Sequence, residues 1–532
     1  MNRQGTKRRR GDDDGSAIAM DRLSQLPQPI LHNILSLISQ KDAVRASVLS
    51  KSWRYLWHSR LNVEFRDRDH GYTRRKKFWS FVDKTLQRYL DQNLSLQKFL
   101  VHICHIKVDF KLLRKWIPVL LLNMGVRSFN LIFSYSYCAN KAFYPLPLVV
   151  FQSESLVELH LQRCNLKILE SSDNVMLNNL QTLRLHNVYV SDVILEKIIS
   201  SCPLIENLSV LRCIGLKSIK LHKHHNIKDF GCSVDKKTII EIPHTLESFH
   251  FENYCTSTYW LPPHKNMHLK SLKLQRVKLP AETLVNFPSF FPCLNELTLT
   301  NCDGLQEFRL SSSSIKRLTV KTDLKNRIKA FIDTPNILYF ECSGHDFLPS
   351  IKFTTTSNEW ASHIFVYFKL KHSDKDATSW FLKLNNLLKA LSQSHITLTL
   401  QVSQTMYQKV HINDSYGGFF KPVVVEHFKS CGSLFPPSDT TILDSVFRIC
   451  RPRYIHLDKY ADDQLVKFIC NLIPKEKGAY FWLQDLEEVS IEVWDVKAEE
   501  WNCVQTTSLP GHPNRPRIRF RLTWKEQLSK FT

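Results

Sequence analysis

Hydrophobic residues near the start of the chain recur at steps of three and four positions, which is typical of helices with one apolar face. Pro27 and Pro29 stand where a first helix can begin without losing interior hydrogen bonds. Asp42 can cap a second helix, and Ser50 a third that contains Trp53. The pattern therefore predicts three short amphipathic helices. The first apolar stripe consists of Leu26, Ile30, Leu31, Ile34, Leu35 and Ile38.

These three helices carry more large apolar side chains than so short a segment can bury among themselves. Domains of roughly 40 residues are marginal without disulfides, metal or a partner. We therefore expect part of this surface to bind another protein. A generic helical hairpin at the N-terminus is the alternative interpretation.

Helical and strand-like segments alternate after this region. Helical spacing covers residues 78–90, and a strand-like run follows at 96–103. Residues 112–124 are helical again, with a kink expected at Pro118, before alternation returns at 126–131. A helix–strand unit has begun to repeat.

The repeat becomes explicit at Leu156–Leu166, where LVELHLQRCNL fits the leucine-rich signature L-x-x-L-x-L-x-x-N/C-x-L at every fixed position. Each unit supplies one short strand whose leucines need the neighbouring units to complete a core, so the units must stack into a solenoid. Residues 191–203 add a helix on the back of one unit. Further units begin at Leu180, Ile205, Ile227, Leu246, Leu269, Leu294, Ile315 and Pro335.

The signature fades beyond residue 345, but helix-like and strand-like runs continue in pairs. The runs at 380–391 and 396–402 form one pair, and those at 442–449 and 454–457 form another. A third pair combines 465–472 with 486–491. We interpret 346–532 as a divergent continuation of the repeats, with a separate C-terminal domain as the alternative.

Strand alternation also predicts which side chains face a ligand. Residues between the inward leucines should line the concave side of the solenoid. The first column runs through His160, Arg184, Ser209, Gly231, His250, Lys273, Thr298, Thr319 and Tyr339 and contains no acidic residue. Its substrate-binding candidates are His160, Arg184, His250, Lys273 and Tyr339. A second column runs through Gln162, His186, Leu211, Ser233, Glu252, Gln275, Thr300, Lys321 and Glu341. An ordinary solvated sheet surface is the alternative.

Composition limits the class of protein without choosing a partner. The 532-residue chain carries a net charge of +22, which favours acidic partners or simply a soluble basic surface. Its 14 cysteines are scattered without a Cys-x-x-Cys pair and suggest reduced thiols. No apolar run reaches the roughly 18 residues of a membrane span, so no membrane association is expected.

No pattern predicts catalysis, a metal centre or a bound cofactor. Phosphate loops, nucleophile elbows and metalloprotease motifs are all missing from the sequence. His222–His225 and His102–His105 lack a four-ligand set with zinc spacing. Arginines alternate with apolar residues at Arg515, Arg517, Arg519 and Arg521, which favours a charged edge strand over a phosphate contact.

Residues 21–57 closely resemble the F-box in the form common among plant F-box proteins. The resemblance lies in Leu-Pro-x-x-Ile-Leu-x-x-Ile-Leu, followed by Lys-Asp-Ala-Val-Arg-Ala-Ser-Val-Leu-Ser-Lys-x-Trp-Arg-x-Leu-Trp. It implies docking on the Skp-type adaptor of an SCF ubiquitin ligase, and through that adaptor on a cullin and a RING subunit. The expected adaptor-binding residues are Leu26, Pro27, Ile30, Ile34, Leu35, Val48, Trp53 and Leu56.

The resulting prediction is an α/β protein with four regions. They are a disordered tail (1–20), a three-helix F-box (21–65), a leucine-rich-repeat horseshoe of alternating helices and short parallel strands (66–345), and the divergent continuation (346–532). The expected function is a non-enzymatic receptor that selects an unknown protein substrate for ubiquitination. The alternatives are a basic repeat protein that binds nucleic acid and a scaffold outside SCF complexes. Lys7–Arg10 favour residence in the nucleus, with the cytoplasm as the alternative.

Overall fold

The computed structural model describes most of the chain and divides it into two compact units. Unit 1 comprises residues 1–183 and 197–203, and unit 2 comprises 184–196 and 204–532. The described residues are 26–38, 45, 48, 51–70, 77–105, 108–134, 143–171, 174–234, 239–253, 266–322, 328–344, 348–355, 359–368, 378–402, 421–431, 441–456, 481–495, 498–504 and 517–525.

Unit 1 combines helices with a parallel sheet. Its helices are α1 (Gln28–Leu37), α2 (Lys51–His58), α3 (Phe78–Asp91) and α4 (Phe110–Pro118). Its strands are β1 (Asn62–Arg66), β2 (Lys98–Ile103), β3 (Ser128–Phe133), β4 (Tyr144–Pro145), β5 (Glu158–Gln162) and β6 (Cys164–Asn165). Parallel pairing runs from β1 through β2 and β3 to β5. The predicted helix–strand alternation is confirmed here.

Pro118 acts at the place that the sequence predicts. Helix α4 ends at Pro118, and the chain continues as one π-helical turn over Val119–Asn123. A proline has no amide hydrogen to donate, so the regular ladder cannot continue through it. Asp109 caps the other end of α4 by accepting a hydrogen bond from the Leu112 amide.

Two elements contain the points where the chain passes between the units, namely β7 (Thr182–His186) and α5 (Asp192–Ser200). The remaining helices, α6 (Ala281–Val285), α7 (Phe287–Phe290), α8 (Thr378–Ala390) and α9 (Thr441–Ile449), lie in unit 2. So do β8 (Asn207–Leu211), β9 (Ser218–Lys220), β10 (Asp229–Val234), β11 (Ile239–Glu241), β12 (Ser248–Asn253), β13 (Ser271–Gln275), β14 (Glu296–Thr300), β15 (Glu307–Ser311), β16 (Arg317–Lys321), β17 (Lys329–Asp333), β18 (Tyr339–Gly344), β19 (Ser350–Thr354), β20 (Ala361–Phe368), β21 (His395–Val402), β22 (Val423–Cys431), β23 (Cys450–His456), β24 (Leu486–Asp495), β25 (Glu500–Val504) and β26 (Ile518–Trp524).

The repeat strands of unit 2 form a parallel ladder with matched register. Leu272 of β13 lies opposite Leu297 of β14, and Leu297 lies opposite Leu318 of β16. All three leucines are buried. The signature leucines therefore form the core, and the residues between them share the other face. The degenerate unit at Ile227 is confirmed as a repeat because β10 pairs with both β8 and β12.

Repeat length decides what forms the back of each unit. The 25-residue steps from Leu180 and Leu269 contain helices α5 and α6. In the shorter units, whose starts are 19 to 22 residues apart, the chain forms a second strand on the back instead. These back strands pair in parallel as β9–β11 and as β15–β17–β19. A short repeat has too few residues for a strand, two turns and a helix, so the expected helix is replaced by a strand in these units.

Beyond residue 345 the parallel ladder continues within the same unit. Strand β18 pairs with β20, and the pairing proceeds through β21 and β22 to β23. The predicted helices at 380–391 and 442–449 are observed as α8 and α9. Residues 465–472 lie outside the described residues, so the third predicted pair is not seen in full.

The arginine-rich strand β26 is not an edge strand, which corrects the sequence interpretation. It pairs antiparallel with β23 on one side and with β24 on the other. Its apolar residues Ile518, Phe520 and Leu522 are buried. Arg519 lies on the opposite face of the strand, where it is largely covered and pairs with Glu492 of β24. The arginine alternation therefore marks an interior strand with one polar face.

Other features of the described residues limit the chemistry available. None of the described helices is long and apolar enough to cross a membrane. The ten described cysteines form no disulfide, and burial raises the pKa of the Cys213 thiol to about 12. No three His, Cys, Asp or Glu side chains among the described residues come together as a potential metal site.

Candidate protein-binding surfaces

Helices α1 and α2 pack through a small apolar core. Leu31 and Leu35 of α1 bury their side chains against Leu56 of α2. Leu26, Ile34, Ile38 and Trp57 surround this core and are partly buried. The predicted second helix falls on residues 42–49, of which only Arg45 and Val48 are described. The helix pair is therefore confirmed, and the three-helix arrangement stays a prediction.

Several expected adaptor-binding residues in or between these helices are exposed. Ile30 is 46% exposed and Val48 is 77% exposed, and Pro27 is also exposed. Tyr55 of α2 adds a further exposed ring that the sequence analysis did not select. These exposed residues all belong to the same short segment of sequence, and exposed apolar side chains that form a patch commonly mark a protein-binding surface.

Other expected adaptor-binding residues have different environments. Leu35 and Leu56 are buried within the chain, so in this conformation they support the surface from below and make no contact with a partner. Leu26 and Ile34 are partly buried. Trp53 lies in α2, but its side chain is outside the described residues.

Arg60 fixes the helix pair to the rest of unit 1. Its Nη2 donates a hydrogen bond to the Leu35 carbonyl oxygen at 2.8 Å. Its own carbonyl oxygen accepts a hydrogen bond from the Tyr89 hydroxyl of α3 at 2.7 Å. Burial lowers the pKa of Arg60 and raises the pKa of Tyr89 to about 12. Arg60 therefore connects α1 to α3 and holds α1 in a fixed position.

The second candidate surface is the polar face of the strands in unit 2, which we call the strand face. Ser209, Gly231, His250, Lys273, Thr298 and Thr319 lie opposite one another in successive strands. Lys273 is exposed, as is Arg184 in β7, whereas His250 is half-buried. The predicted column is thereby confirmed from Ser209 to Thr319. His160 lies in unit 1, where it pairs with Asn130.

Tyr339 does not belong to this column, which corrects the sequence analysis. In β18 the residue opposite Thr319 is Glu341, and Tyr339 lies opposite Arg317. The repeat was aligned on Pro335, which shifted the last strand by two residues. Two residues preserve the face of a strand, so Tyr339 still points to the strand face. The correction also introduces an acidic residue into a column that had been predicted to have none.

Glu252 is the buried acid of the strand face. Its side chain is 7% exposed, and its Oε1 lies 3.6 Å from Arg212 Nη2 and 4.0 Å from Arg276 Nη1. These distances allow electrostatic attraction but exceed hydrogen-bond length. Two guanidinium groups therefore share one buried carboxylate, leaving a positive charge in excess at this place.

The two histidines beside this cluster are predominantly neutral near pH 7. Burial lowers the pKa of His186, and the positive charge of Arg212 lowers it further. Burial and the charge of Lys273 lower the pKa of His250. The permanent cations of the predicted columns around this position are therefore Arg184 and Lys273.

Arg212 and Arg276 were missed because they stand just after the strands. Both have positive φ angles of 56°, and Arg163, Asn187 and Asn301 have the same left-handed conformation in their repeats. The Arg212 amide donates a hydrogen bond to the Ser233 hydroxyl, which helps to hold this turn. The signal was present in the sequence, since Arg or Asn stands two residues after the last apolar position of the L-x-x-L-x-L pattern in six units, at Arg163, Asn187, Arg212, Asn253, Arg276 and Asn301.

Comparison with known proteins places both surfaces in recognised regions. Residues 23–64 match the F-box domain family. Residues 113–259 match the family described as "FBD-associated F-box protein At5g56370, LRR repeats". The first match contains α1, α2 and the exposed apolar residues, and the second contains the beginning of the strand face.

Two relatives have names that also combine an F-box with leucine-rich repeats. The F-box/LRR-repeat protein At3g59200 of Arabidopsis thaliana is 34% identical over 232 residues, which are 42% of this chain and 40% of that protein. The F-box/FBD/LRR-repeat protein At5g56420 of the same plant is 36% identical over 219 residues, which are 38% of this chain and 49% of that protein. The chain thus spans about half or less of the length of these curated relatives. The chain is therefore similar to plant F-box/leucine-rich-repeat proteins over the matched regions, in which an F-box segment is followed by leucine-rich repeats.

Proposed function

We propose that the chain is the substrate-recognition subunit of an SCF-type ubiquitin ligase. In this role the F-box docks on a Skp-type adaptor, which links it to a cullin and a RING subunit. The observation that carries the proposal is the F-box match over residues 23–64, which coincides with the exposed apolar residues Ile30 and Val48. The subunit itself performs no catalysis and contributes only binding.

The helix pair has the chemistry of a docking surface. Its own core is small and consists of Leu31, Leu35 and Leu56, while Ile30, Val48 and Tyr55 remain accessible. Burying such side chains at an interface removes apolar area from water and stabilises the complex. Truncating a central apolar residue of an interface often costs about 2 kcal/mol or more.

Co-purification of the full chain with a Skp-type adaptor tests this proposal. We expect the double variant Ile30→Asp/Val48→Asp to lose adaptor binding by at least about 30-fold, since 1.4 kcal/mol corresponds to a factor of ten. Leu122→Asp is the matched control, because Leu122 is 65% exposed and lies in unit 1 outside the F-box match. If the double variant binds the adaptor as tightly as the parent chain and the Leu122→Asp control, the F-box surface is not the docking site.

The strand face is the proposed recognition surface for the protein substrate. It exposes the cations Arg184 and Lys273, so we expect it to favour acidic segments. Carboxylates such as Glu252 and Glu341 interrupt its positive charge, which supports a protein ligand over the phosphate backbone of a nucleic acid. A gel shift that is lost with rising salt would favour the nucleic-acid alternative.

Nuclear residence is a further part of the proposal and depends on Lys7–Arg10, which lie outside the described residues. Replacing all four residues by Ala in a fluorescent fusion should move the protein toward the cytoplasm. An unchanged nuclear fraction would contradict a role for this basic run.

A further inference from the structure

A groove of about 520 Å³ lies in the C-terminal part of unit 2, and its lining includes none of the residues of the Glu252 cluster. Side chains from β22, β23 and β26 line it, together with Asp485 just before β24. Volumes of about 300–1,000 Å³ are typical of small-molecule sites. The groove is therefore large enough for a small organic ligand.

Positive charge predominates in the groove. Its described lining contains four cations, Arg451, Arg453, Arg521 and Lys525, but only two carboxylates, Glu426 and Asp485. Both carboxylates are already used. Asp485 Oδ2 accepts a hydrogen bond from Arg451 Nη2 at 2.6 Å, and Glu426 Oε2 accepts one from Arg453 Nη1 at 3.2 Å.

Arg521 and Lys525 remain as the uncompensated cations. Both side chains are exposed, and neither makes an ion pair with any of the described residues. Arg521 lies in β26 opposite Tyr454 of β23, and the backbone amide of Lys525 donates a hydrogen bond to the Asp485 carbonyl oxygen. Backbone hydrogen bonds therefore hold the main chain at both Arg521 and Lys525. Together they match the charge of a phosphate monoester, which is about −1.5 to −2 near pH 7.

The groove also has an apolar wall. Val424 is 55% exposed and lines it, as does the ring of Trp524. Trp524 is held in place because its Nε1 donates a hydrogen bond to the Pro452 carbonyl oxygen at 2.8 Å and the Arg451 guanidinium lies 4.8 Å from its ring. This wall suits an organic group attached to the anion better than a bare inorganic ion.

We propose that this groove is a binding site for an organic phosphate monoester. Arg521 and Lys525 attract the phosphate, and Val424 and Trp524 contact the organic group. The lining shares no residue with the proposed adaptor and substrate surfaces, so the site does not depend on the SCF role. Arg451 holds the Trp524 ring, and the charge of Arg453 is paired with Glu426.

Isothermal titration calorimetry on the full chain tests the site with phenyl phosphate as the probe. We expect saturable binding of phenyl phosphate and at least about tenfold weaker binding of inorganic phosphate, of phenol and of benzoate. Arg521→Ala and Lys525→Ala should each weaken binding of phenyl phosphate by about tenfold or more, as expected for the loss of a charged contact. Arg517→Ala is the matched control, because Arg517 is an exposed arginine beside β26 that does not line the groove.

Three results would overturn the proposal. They are the absence of phenyl phosphate binding to the parent chain, equal binding by the parent and the Arg521→Ala and Lys525→Ala variants, and an equal loss of binding in the Arg517→Ala control. Far-ultraviolet circular dichroism verifies that each variant is folded. Both exposed side chains lack an ion-pair partner among the described residues, so either substitution leaves the fold intact.

Discussion

Glu252 Oε1 lies 3.6 Å from Arg212 Nη2, and the same oxygen lies 4.0 Å from Arg276 Nη1. The carboxylate is almost fully buried, whereas both arginines are about half exposed. Removing the acid would leave two guanidinium groups facing each other across a buried position. The arrangement therefore makes Glu252 more important for folding than a surface acid of the same strand face.

We predict that Glu252→Gln lowers the free energy of unfolding by about 1–3 kcal/mol, because it removes a buried negative charge that lies beside two arginines. Urea unfolding of the full chain, followed by circular dichroism, measures the loss. Glu296→Gln is the control, since Glu296 forms an exposed pair with Arg317 at 3.5 Å and should cost no more than about 1 kcal/mol. Similar losses for both variants would contradict the assigned role of Glu252.

Gly304 and Gly125 give a second prediction, because both have positive φ angles but different surroundings. A Cβ atom at Gly304 would lie far inside van der Waals contact with the Leu279 carbonyl oxygen of the preceding repeat, whereas one at Gly125 would meet nothing within 4 Å. Gly125→Ala should cost about 1–2 kcal/mol for the left-handed conformation alone. Gly304→Ala should cost at least about 2 kcal/mol more, since a backbone carbonyl must move. Thermal denaturation compares the two, and equal melting temperatures would contradict the close approach.

His456 predicts how stability depends on pH. Burial, followed by the positive charges of His427, Lys429 and Arg519, lowers the pKa of His456 to about 4. Since an unfolded histidine has a pKa of about 6.5, the unfolded chain binds more protons between these values. Stability is then fully present above pH 6.5 and is lost as the pH falls toward 4.

His456→Gln should weaken this loss by roughly 1–2 kcal/mol between pH 7 and pH 4, a range that allows for partial exposure of the ring. Chemical denaturation at pH 7, 6 and 5 measures the slope for the parent and the variant. His427 lies 3.0 Å away and also has a pKa lowered by burial, so some pH dependence should remain in the variant. Identical slopes for the two proteins would show that His456 does not control the effect.

Charge reversal on the strand face tests where a substrate binds. Arg184→Glu/Lys273→Glu should weaken capture of an acidic or phosphorylated substrate by tenfold or more, while adaptor binding and the melting temperature stay unchanged. Both residues are exposed and neither is an ion-pair partner of Glu252, so the fold does not depend on them. Quantitative pull-down of a ubiquitinated substrate, accumulated with a proteasome inhibitor, provides the measurement. Undiminished capture by this variant would locate substrate binding elsewhere.

The sequence predicted the strands well because leucine periodicity reports directly on the buried face. Leu272, Leu297 and Leu318 were placed correctly, and so was the column from Ser209 to Thr319. Tyr339 was displaced by two residues because its repeat was aligned on Pro335, whereas the observed register puts Ile337 at the first apolar position. A shift of two keeps the face of a strand and is therefore invisible to alternation.

Other features depend on contacts between distant residues, which a local pattern does not contain. The arginine alternation of β26 could not reveal that β23 and β24 pair with both of its sides. The burial of Leu35 and Leu56 likewise depends on how α1 meets α2. Apolar spacing predicted that these two leucines are covered, but it could not show that they cover each other within the same chain.

The back strands of the short repeats have a consequence for how the molecule opens. A helix satisfies its amide groups internally, so neighbouring helical repeats are joined on that side only by side chains. Strands β15, β17 and β19 instead donate and accept backbone hydrogen bonds between successive repeats. Between residues 307 and 354, one repeat can therefore detach only by breaking two backbone ladders, whereas a helical repeat breaks only the ladder of the strand face. We expect the amides of this segment to exchange with deuterium together, as one cooperative unit, and more slowly than those of the helical repeats.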